Sequence, residues 1–288
     1  MTSIKNEKLQ GALLMILSCS AFSLMQIFVR LSAGAVSLPE QVFFRNLIGF
    51  IIAAVVIRLE KLSFKTEPKY SLALLIRSLF GFIGLFFLFY ASAHARQADV
   101  SLLSRTSSIW VFLFQSLLGQ KITKTQVLII IICMLGSVIA INPRFDSAVI
   151  PLLCASATSV FSGAAYTAIG YCKGHVDPFV VIFYFCIFST ICAGIMMLGS
   201  FTVPTGMTLV YLLMIGFTAA IGQIGLTFGL QKCTAGTGSI YEYFTIITSA
   251  ILGFLCFGEH IALTTVIGSV LIITGAVINY RSSIRHAS

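Results

Sequence analysis

Glu242 is a carboxylate inside an apolar stretch, residues 235–259, that is long enough to cross a bilayer. An ionised carboxylate at such a depth costs at least about 2.5 kcal/mol unless it faces a cavity or a partner. Polar residues three and four positions apart continue a stripe on the same helix: they are Tyr241, Thr245, Thr248 and Ser249. We therefore predict that Glu242 faces a cavity or a charged group.

Four arginines also lie inside apolar runs: Arg30, Arg45, Arg77 and Arg105. With a rise of about 1.5 Å per residue, Arg77 and Arg105 lie about 12 Å from the nearest membrane boundary and Arg45 about 9 Å. Arg30 is near the end of its helix, so its side chain can reach the interface, and we expect it to be an anchor. A guanidinium group can bind a carboxylate through two hydrogen bonds. We expect cavity roles for Arg77 and Arg105, whereas Arg45 fits an anchor and a site residue equally well.

Three interpretations of Glu242 stay open. The carboxylate can bind the cationic group of a substrate, neutralise Arg77, or bind a coupling proton. Polar stripes on the first, fourth and eighth apolar helices indicate a wet pathway between the helices, because lipid does not favour such stripes. The predicted substrate-binding residues are Arg77, Arg105, Glu242, Tyr241, Tyr243, Arg45, Gln26, Ser101, Ser108 and Gln223.

The composition places these residues in a polytopic membrane protein. Hydrophobic residues make up 58% of the 288 residues and charged residues 9%, against about 25% charged in soluble domains. The net charge of +9 does not indicate nucleic acid as a partner, because the basic residues lie between the apolar runs. The eight cysteines are scattered without metal-ligand spacing, so we expect neither a metal nor a cofactor.

Ten membrane spans can be marked from the hydropathy pattern. They are 9–32, 39–57, 70–92, 98–119, 125–142, 148–171, 178–199, 207–230, 235–257 and 261–280. With the N-terminus inside, the outer segments contain only Arg96 and Arg144. The inner segments contain Lys5, Lys8, Arg58, Lys61, Lys65, Lys69, Lys121, Lys124, Lys173, Lys232, Arg281 and Arg285. This bias predicts a multi-pass protein of the inner (cytoplasmic) membrane with both termini in the cytoplasm.

The chain also repeats itself at a single offset of about 139 residues. This offset aligns Gly119 with Gly258, Gly136 with Gly275, Pro39 with Pro178 and Phe44 with Phe183. Each copy holds five spans, so the second copy enters the membrane from the other side. We predict an all-α polytopic membrane protein of ten transmembrane helices, arranged as two inverted five-helix repeats at 1–143 and 144–288. Inverted repeats are typical of transporters that bind substrate near the midplane.

This pattern resembles the drug/metabolite transporter superfamily, specifically its EamA-type members. The local matches are the run from Pro39 to Arg45 and the span ends 117–120 and 256–259. The second span end keeps the glycine and glutamate usual in the family as Gly258-Glu259, whereas Gln120 replaces the acid in the first. Ile76-Arg77-Ser78 and Tyr241-Glu242-Tyr243 are also similar to the S-adenosylmethionine carriers of that superfamily. There Glu242 stands where those carriers have a basic residue.

The sequence therefore predicts a secondary transporter for a small carboxylate-bearing metabolite, such as an amino acid or S-adenosylmethionine. Its partners are that substrate, the lipid bilayer, and a coupling proton or an exchanged metabolite, and the protein is a monomer or a dimer. The alternative within the same class is a carrier of a phosphate-bearing metabolite such as a nucleotide sugar. An integral-membrane enzyme or a lipid scramblase is the alternative from another class. We do not expect an enzyme, because all four histidines lie far apart in loops or the tail.

Overall fold

The computed structural model describes residues 2–95, 97–120, 122–143, 148–258 and 260–285. Helices and short connections make up these ranges. The helices are α1 (Thr2–Ser32), α2 (Leu38–Leu59), α3 (Pro68–His94), α4 (Gln97–Arg105), α5 (Ser107–Leu117), α6 (Lys124–Ile141), α7 (Val149–Tyr171), α8 (Pro178–Met197), α9 (Met207–Lys232), α10 (Ala235–Ile240), α11 (Phe244–Phe257) and α12 (Leu263–Arg285). A single 3₁₀ turn, Tyr241–Tyr243, joins α10 to α11. The all-helical membrane fold is confirmed.

Several predicted features fall outside the described residues. They are Arg96, Lys121, Arg144, Glu259 and His286, together with the side chains of Lys5 and Arg285.

Within the described ranges, nine segments are long and apolar enough to cross a membrane. The predicted fourth span, 98–119, is the one that differs, because it consists of two short helices, α4 and α5. The break falls at Thr106, whose backbone N–H and hydroxyl both donate to the Leu103 carbonyl oxygen, at 3.2 and 2.6 Å. Such local bonds from threonine compete with the regular helical bonds and bend the chain. With this broken pass, the chain makes ten passes, as predicted.

The ninth pass is broken as well, at the 3₁₀ turn that contains Glu242. The sequence analysis treated 235–257 as one continuous helix. Under the repeat offset Thr106 corresponds to Thr245, two residues beyond this turn, so the two interruptions fall at nearly equivalent positions. Discontinuous helices at midplane depth are tolerated where they line a cavity or are buried in protein.

Equivalent residues of the two copies serve the same structural roles. Pro39 and Pro178 both lie in the first turn of a helix, where proline leaves no helical hydrogen bond unmade. Gly119 and Gly258 both adopt a positive φ, 83° and 65°, directly after the fourth and ninth passes. This left-handed conformation favours glycine. The repeated organisation is thus visible in the backbone, while the predicted boundary at 143/144 stays a prediction.

The helices pair in a pattern that is preserved when the two halves are exchanged. Helix α1 packs on α9 and α3 packs on α7, while α2 packs on α8 and α6 on α12. Glycines allow some of these close approaches, since a Cβ at Gly136 would lie 2.8 Å from the Gly268 carbonyl oxygen. Small residues at helix contacts are typical of membrane bundles.

The two ends of the bundle differ. At the end that holds the chain termini, which we call the terminal end, Lys8 Nζ donates to the Ser283 carbonyl oxygen. Gln231 Nε2 donates to the Val176 carbonyl oxygen at 3.2 Å, and Lys173 Nζ donates to the Lys232 carbonyl oxygen at 3.0 Å. The first of these bonds joins α1 to α12 and the other two join α9 to the α7–α8 connection, and these contacts close the terminal end.

Candidate functional site

A cavity of about 950 Å³ extends into the bundle from the end opposite the termini. Its outer rim includes Gly34 between α1 and α2, Ile141 at the end of α6 and Thr265 at the start of α12. Deeper in the cavity, polar side chains from α1, α4 and α11 form part of the wall: Ser23, Gln26, Ser101, Ser104, Thr245 and Ser249. Arg105, the last residue of α4, lies at its inner part.

Arg105 and Glu242 form an ion pair at the inner part of this cavity. Arg105 Nη1 lies 3.8 Å from Glu242 Oε2, and Ser107 Oγ donates to the same oxygen at 3.3 Å. Tyr166 of α7 lies within electrostatic range of this carboxylate. Glu242 is only 5% exposed, so it lies one layer behind the cavity surface. The proposed neutralisation of Arg77 by Glu242 is therefore not what the structure shows, because the guanidinium partner of Glu242 is Arg105.

The two helix breaks bring this pair together. Arg105 ends α4 and Ser107 begins α5, while Glu242 lies in the 3₁₀ turn of the ninth pass. A continuous fourth helix would use its backbone groups internally, whereas the break exposes helix ends whose partial charges act on nearby ions. A cation at the C-terminus of α4 is favoured by these partial charges.

Arg45 and Arg77 form a second cluster, deeper in the protein. Arg77 is 3% exposed, and its guanidinium carbon lies 4.0 Å from the centre of the Phe185 ring. Arg45 is 7% exposed; its Nη1 donates to Asn46 Oδ1 at 2.9 Å, and its guanidinium carbon lies 5.7 Å from the Phe22 ring centre. Among the described residues, no carboxylate lies within ion-pair distance of either guanidinium.

A hydroxyl network joins α1 to α11 along the cavity wall. Ser23 Oγ and Thr248 Oγ1 are 2.8 Å apart, and Ser249 Oγ donates to Ser23 Oγ at 3.1 Å. These residues belong to the polar stripes of the first and ninth spans. Ser23 and Ser249 both line the cavity, so this network contributes uncharged hydroxyl groups to its wall.

The other predicted site residues occupy different surroundings. Gln26 and Ser101 line the cavity. Ser108 Oγ donates to the Ser239 carbonyl oxygen at 3.0 Å, and Gln223 Nε2 donates to Thr227 Oγ1 at 3.3 Å within α9. These two bonds are internal to the helix packing.

Tyr241 and Tyr243 are buried and are not among the residues that line the cavity. Tyr241 packs with Tyr70 and Leu230 in one apolar cluster, and Tyr243 packs with Ile129 in another. The structure thus groups Arg105, Glu242, Gln26 and Ser101 at the cavity and places the two tyrosines in the core. Their substrate-binding roles stay predictions.

Tyr166 and Ser107 were not among the site residues predicted from the sequence; Ser107 donates a hydrogen bond to Glu242, and Tyr166 lies within electrostatic range of it. The repeat provides a signal for Tyr166, because the offset aligns it with Ile27 of α1, a residue that lines the cavity. Arg30, predicted as an interface anchor, is exposed and contributes to the cavity lining near its outer end.

A smaller apolar groove on the protein surface contains few polar groups. It lies between α3 and α8, with a volume of about 310 Å³, and its lining includes Leu74, Tyr184 and Phe188. This groove is mostly apolar and lies apart from the ion pair, so we place the candidate site at the large cavity.

A ten-pass helical bundle with a polar midplane site reached from one end has the architecture of a secondary transporter. The chain belongs to the EamA-like transporter family, which matches it twice, over residues 9–142 and 149–281. The resemblance to EamA-type members of the drug/metabolite transporter superfamily is confirmed, and the protein is a polytopic membrane transporter of this family.

Individual relatives cover nearly the whole chain. A protein of Pseudomonas aeruginosa strain UCBPP-PA14 named as a pseudopaline exporter is 28% identical over 270 residues, 93% of this chain and 94% of the relative. A protein of Helicobacter pylori strain J99 named only as a transporter is 21% identical over 280 residues, 94% of each chain. A crystal structure superposes with a TM-score of 0.77 at 20% identity, covering 100% of both chains, and shows the fold.

These relatives point to a transporter rather than an enzyme. Within the described residues, no group of three or more His, Cys, Asp or Glu side chains could hold a metal ion.

Proposed function

We propose that this protein carries a small carboxylate-bearing metabolite, such as an amino acid or a relative of one, across the cytoplasmic membrane by alternating access. The observation that carries the proposal is the cavity of about 950 Å³ with Arg105 at its inner part and Glu242 behind it. A cavity that opens at one end of the bundle while the other end is closed fits one state of an alternating-access carrier.

The charges at the site favour an anionic group on the cargo. The Nε atom of Arg105 has no hydrogen-bond partner among the described residues, and its distance of 3.8 Å to Glu242 leaves the contact loose. A carboxylate can bind such a guanidinium through two hydrogen bonds. Glu242 is then available for a cationic group of the same cargo, such as an ammonium.

The orientation of the chain in the membrane determines the side of the membrane to which the cavity opens. The bias of basic residues places the termini in the cytoplasm, so the closed terminal end faces the cytoplasm and the cavity opens outward. The two five-pass copies are then inverted with respect to each other, and rocking of one against the other would open the terminal end.

Cysteine labelling tests this orientation in a background without native cysteines. Cysteines at Ala35 and Pro204 should react from outside, and cysteines at Lys65 and Arg285 only from the cytoplasm. A C-terminus reachable from outside would overturn the proposed topology.

Export is the direction that we propose to test first, because the Pseudomonas aeruginosa relative is named as an exporter. A coupling proton or an exchanged metabolite would drive the movement. A carrier of a phosphate-bearing metabolite is the second candidate, since guanidinium groups bind phosphate as well as carboxylate.

The experiment is a thermal-shift screen of the purified protein against amino acids, S-adenosylmethionine and nucleotide sugars, followed by uptake of each hit into proteoliposomes. We expect a carboxylate-bearing compound to stabilise the wild type and to be transported. Arg105→Ala should lose both responses while inserting normally, and Arg58→Ala, an exposed position at the end of α2, is the matched control. Hits confined to nucleotide sugars would favour the phosphate alternative, and turnover without uptake would favour an enzyme.

A further inference from the structure

The cluster of Arg45 and Arg77 holds positive charge that no carboxylate of the described residues neutralises. Both side chains are more than nine-tenths buried, and the Nε atoms of both lack hydrogen-bond partners among the described residues. Buried charges in proteins are normally paired, because an isolated ion loses its hydration without compensation. Two such groups in one place therefore require an anion that the described part of the chain does not supply.

The surroundings of the two guanidinium groups are neutral. Phe185 and Cys186 of α8 and Tyr166 of α7 lie close to them. The ring faces of Phe22 and Phe185 offer weak cation–π attraction. Phenylalanine has no ionisable group, and the cysteine thiol and the tyrosine hydroxyl are uncharged when protonated. These side chains therefore do not balance the positive charge of the two guanidinium groups.

Gly81 keeps the Arg77 guanidinium in this position. A Cβ atom at Gly81 would collide with Arg77 Nη1, and it would lie 2.9 Å from the Phe185 ring. The chain therefore leaves space for the guanidinium in a crowded part of α3. This space indicates that the fold holds the Arg77 guanidinium in a defined position and does not bury it by chance.

Tyr166 connects this cluster with the cavity. Its side chain lies within electrostatic range of both Glu242, which pairs with Arg105, and Arg77. Gln41, one helical turn before Arg45 on α2, lines the cavity. The second cluster thus lies behind the inner part of the cavity on the same pathway.

We propose that Arg45 and Arg77 form a second anion subsite, and that the transported metabolite therefore carries at least two separate anionic groups. One group binds Arg105 in the cavity, and the other binds Arg45 and Arg77 once Tyr166 moves aside. Taken together, Arg45, Arg77 and Arg105 carry three positive charges and Glu242 one negative charge, an excess of two positive charges that a dianionic cargo balances. This inference rests on the proposed carrier function and specifies its substrate class.

The first test supplies the missing charge from within the protein. Cys186 lies within electrostatic range of both arginines, so Cys186→Asp places a carboxylate beside them, and Cys186→Asn is its neutral control of the same shape. We expect Cys186→Asp to melt at a higher temperature than Cys186→Asn in the absence of cargo. A melting temperature of Cys186→Asp equal to or below that of Cys186→Asn would overturn the subsite.

The second test uses succinate and its monomethyl ester, which differ by one carboxylate, in thermal-shift titrations at equal ionic strength. For the wild type we expect succinate to bind at least about tenfold more tightly, a ratio that Arg45→Gln and Arg77→Gln reduce to near one. Arg105→Gln should weaken both compounds. Equal binding of the two compounds by the wild type, or an unchanged ratio in both variants, would overturn the second subsite.

The two tests separate this inference from the proposed function. If no carboxylate compound binds the wild type, and Arg105→Gln transports the cargo as well as the wild type does, the proposal of a carboxylate carrier is refuted. The comparison of Cys186→Asp with Cys186→Asn decides independently whether the protein holds an unneutralised pair of arginines.

Discussion

The contact between Arg105 and Glu242 is the part of the site on which the chemistry depends. A mid-membrane ion pair of this kind holds two charges that would be costly alone, so removing one partner leaves the other uncompensated. At 3.8 Å the pair is loose, which suits a contact that a ligand replaces during transport.

Arg105→Gln and Glu242→Gln should therefore each reduce cargo binding, and their effects should not add. For Glu242→Gln, loss of a hydrogen bond to a charged group is worth about 1.5–3 kcal/mol, so an amine-bearing cargo should bind about 10- to 150-fold more weakly. The double variant should recover folding stability lost in the single variants, and a double-mutant cycle of binding and melting measures this coupling. The double variant that combines Arg77→Gln with Glu242→Gln is the matched control, and it should show no such recovery of stability. Strictly additive effects for Arg105 and Glu242 would contradict the pair.

Gly81 gives a second test at a single residue. Gly81→Ala should displace the Arg77 guanidinium and lower transport about as much as Arg77→Gln does, because the new Cβ occupies the space of Nη1. Gly194→Ala is the control, since its Cβ would only reach ordinary contact with Phe43, at 3.5 Å. Uptake assays of both alanine variants check the difference, and full transport by Gly81→Ala would refute this role of the glycine.

The elements that position these residues are the two broken passes. The sequence analysis recognised the polar residues of both passes because charged and hydroxyl groups stand out in apolar runs. It did not recognise the breaks, since Thr106 and the 3₁₀ turn carry neither proline nor glycine at the interruption. Depth estimates along straight helices give the distance of Arg77 and Arg105 from the membrane boundary, but depth does not specify which way a side chain points around the helix axis. The pairing of Glu242 with Arg105 depends on that direction.

Docking of α10 against α5 keeps the ninth pass in its broken form. A Cβ at Gly236 would lie 2.5 Å from Gln115 Oε1 and 2.7 Å from the Phe112 ring. Gly236→Ala should therefore destabilise the protein by about 1–3 kcal/mol, as overpacking does, and lower the melting temperature of the purified protein. Gly199→Ala, which would meet nothing within 4 Å, is the control. Equal melting temperatures for the two variants would show that α10 does not need this close approach.

At the scale of the whole molecule, the passes and the repeat could be predicted from the sequence. Hydropathy and loop charge are summed over many residues, so errors at single positions cancel. The closed terminal end could not be predicted, because it depends on contacts between distant segments, such as that of Gln231 with the Val176 carbonyl oxygen.

The reactivity of the Cys233 thiol shows whether the terminal end is closed. Burial raises the pKa of the Cys233 thiol to about 11, so at pH 7 almost no reactive thiolate is present. In single-cysteine variants, Cys233 should react with N-ethylmaleimide far more slowly than the exposed Cys256. Gln231→Ala, which removes the bond to Val176, should speed the reaction at Cys233 and leave Cys256 unchanged. Equal rates at the two cysteines, or no effect of Gln231→Ala, would mean that the terminal end is not closed by these contacts.

The central claim is that a positively charged site lies at the inner part of a cavity open to the outside. The most direct measurement is the modification of a Ser101→Cys variant, one helical turn from Arg105, by externally added anionic (sulfonatoethyl) and cationic (trimethylammonium-ethyl) methanethiosulfonates. Each rate is divided by that of a free thiol in solution, and Val203→Cys, in the exposed α8–α9 connection, is the control position. We expect the anionic reagent to be favoured about tenfold at Ser101→Cys, since a cleft lined by one sign of charge concentrates the opposite ion. Arg105→Gln should abolish this preference. No reaction at Ser101→Cys from outside, or a preference for the cationic reagent, would contradict the claim.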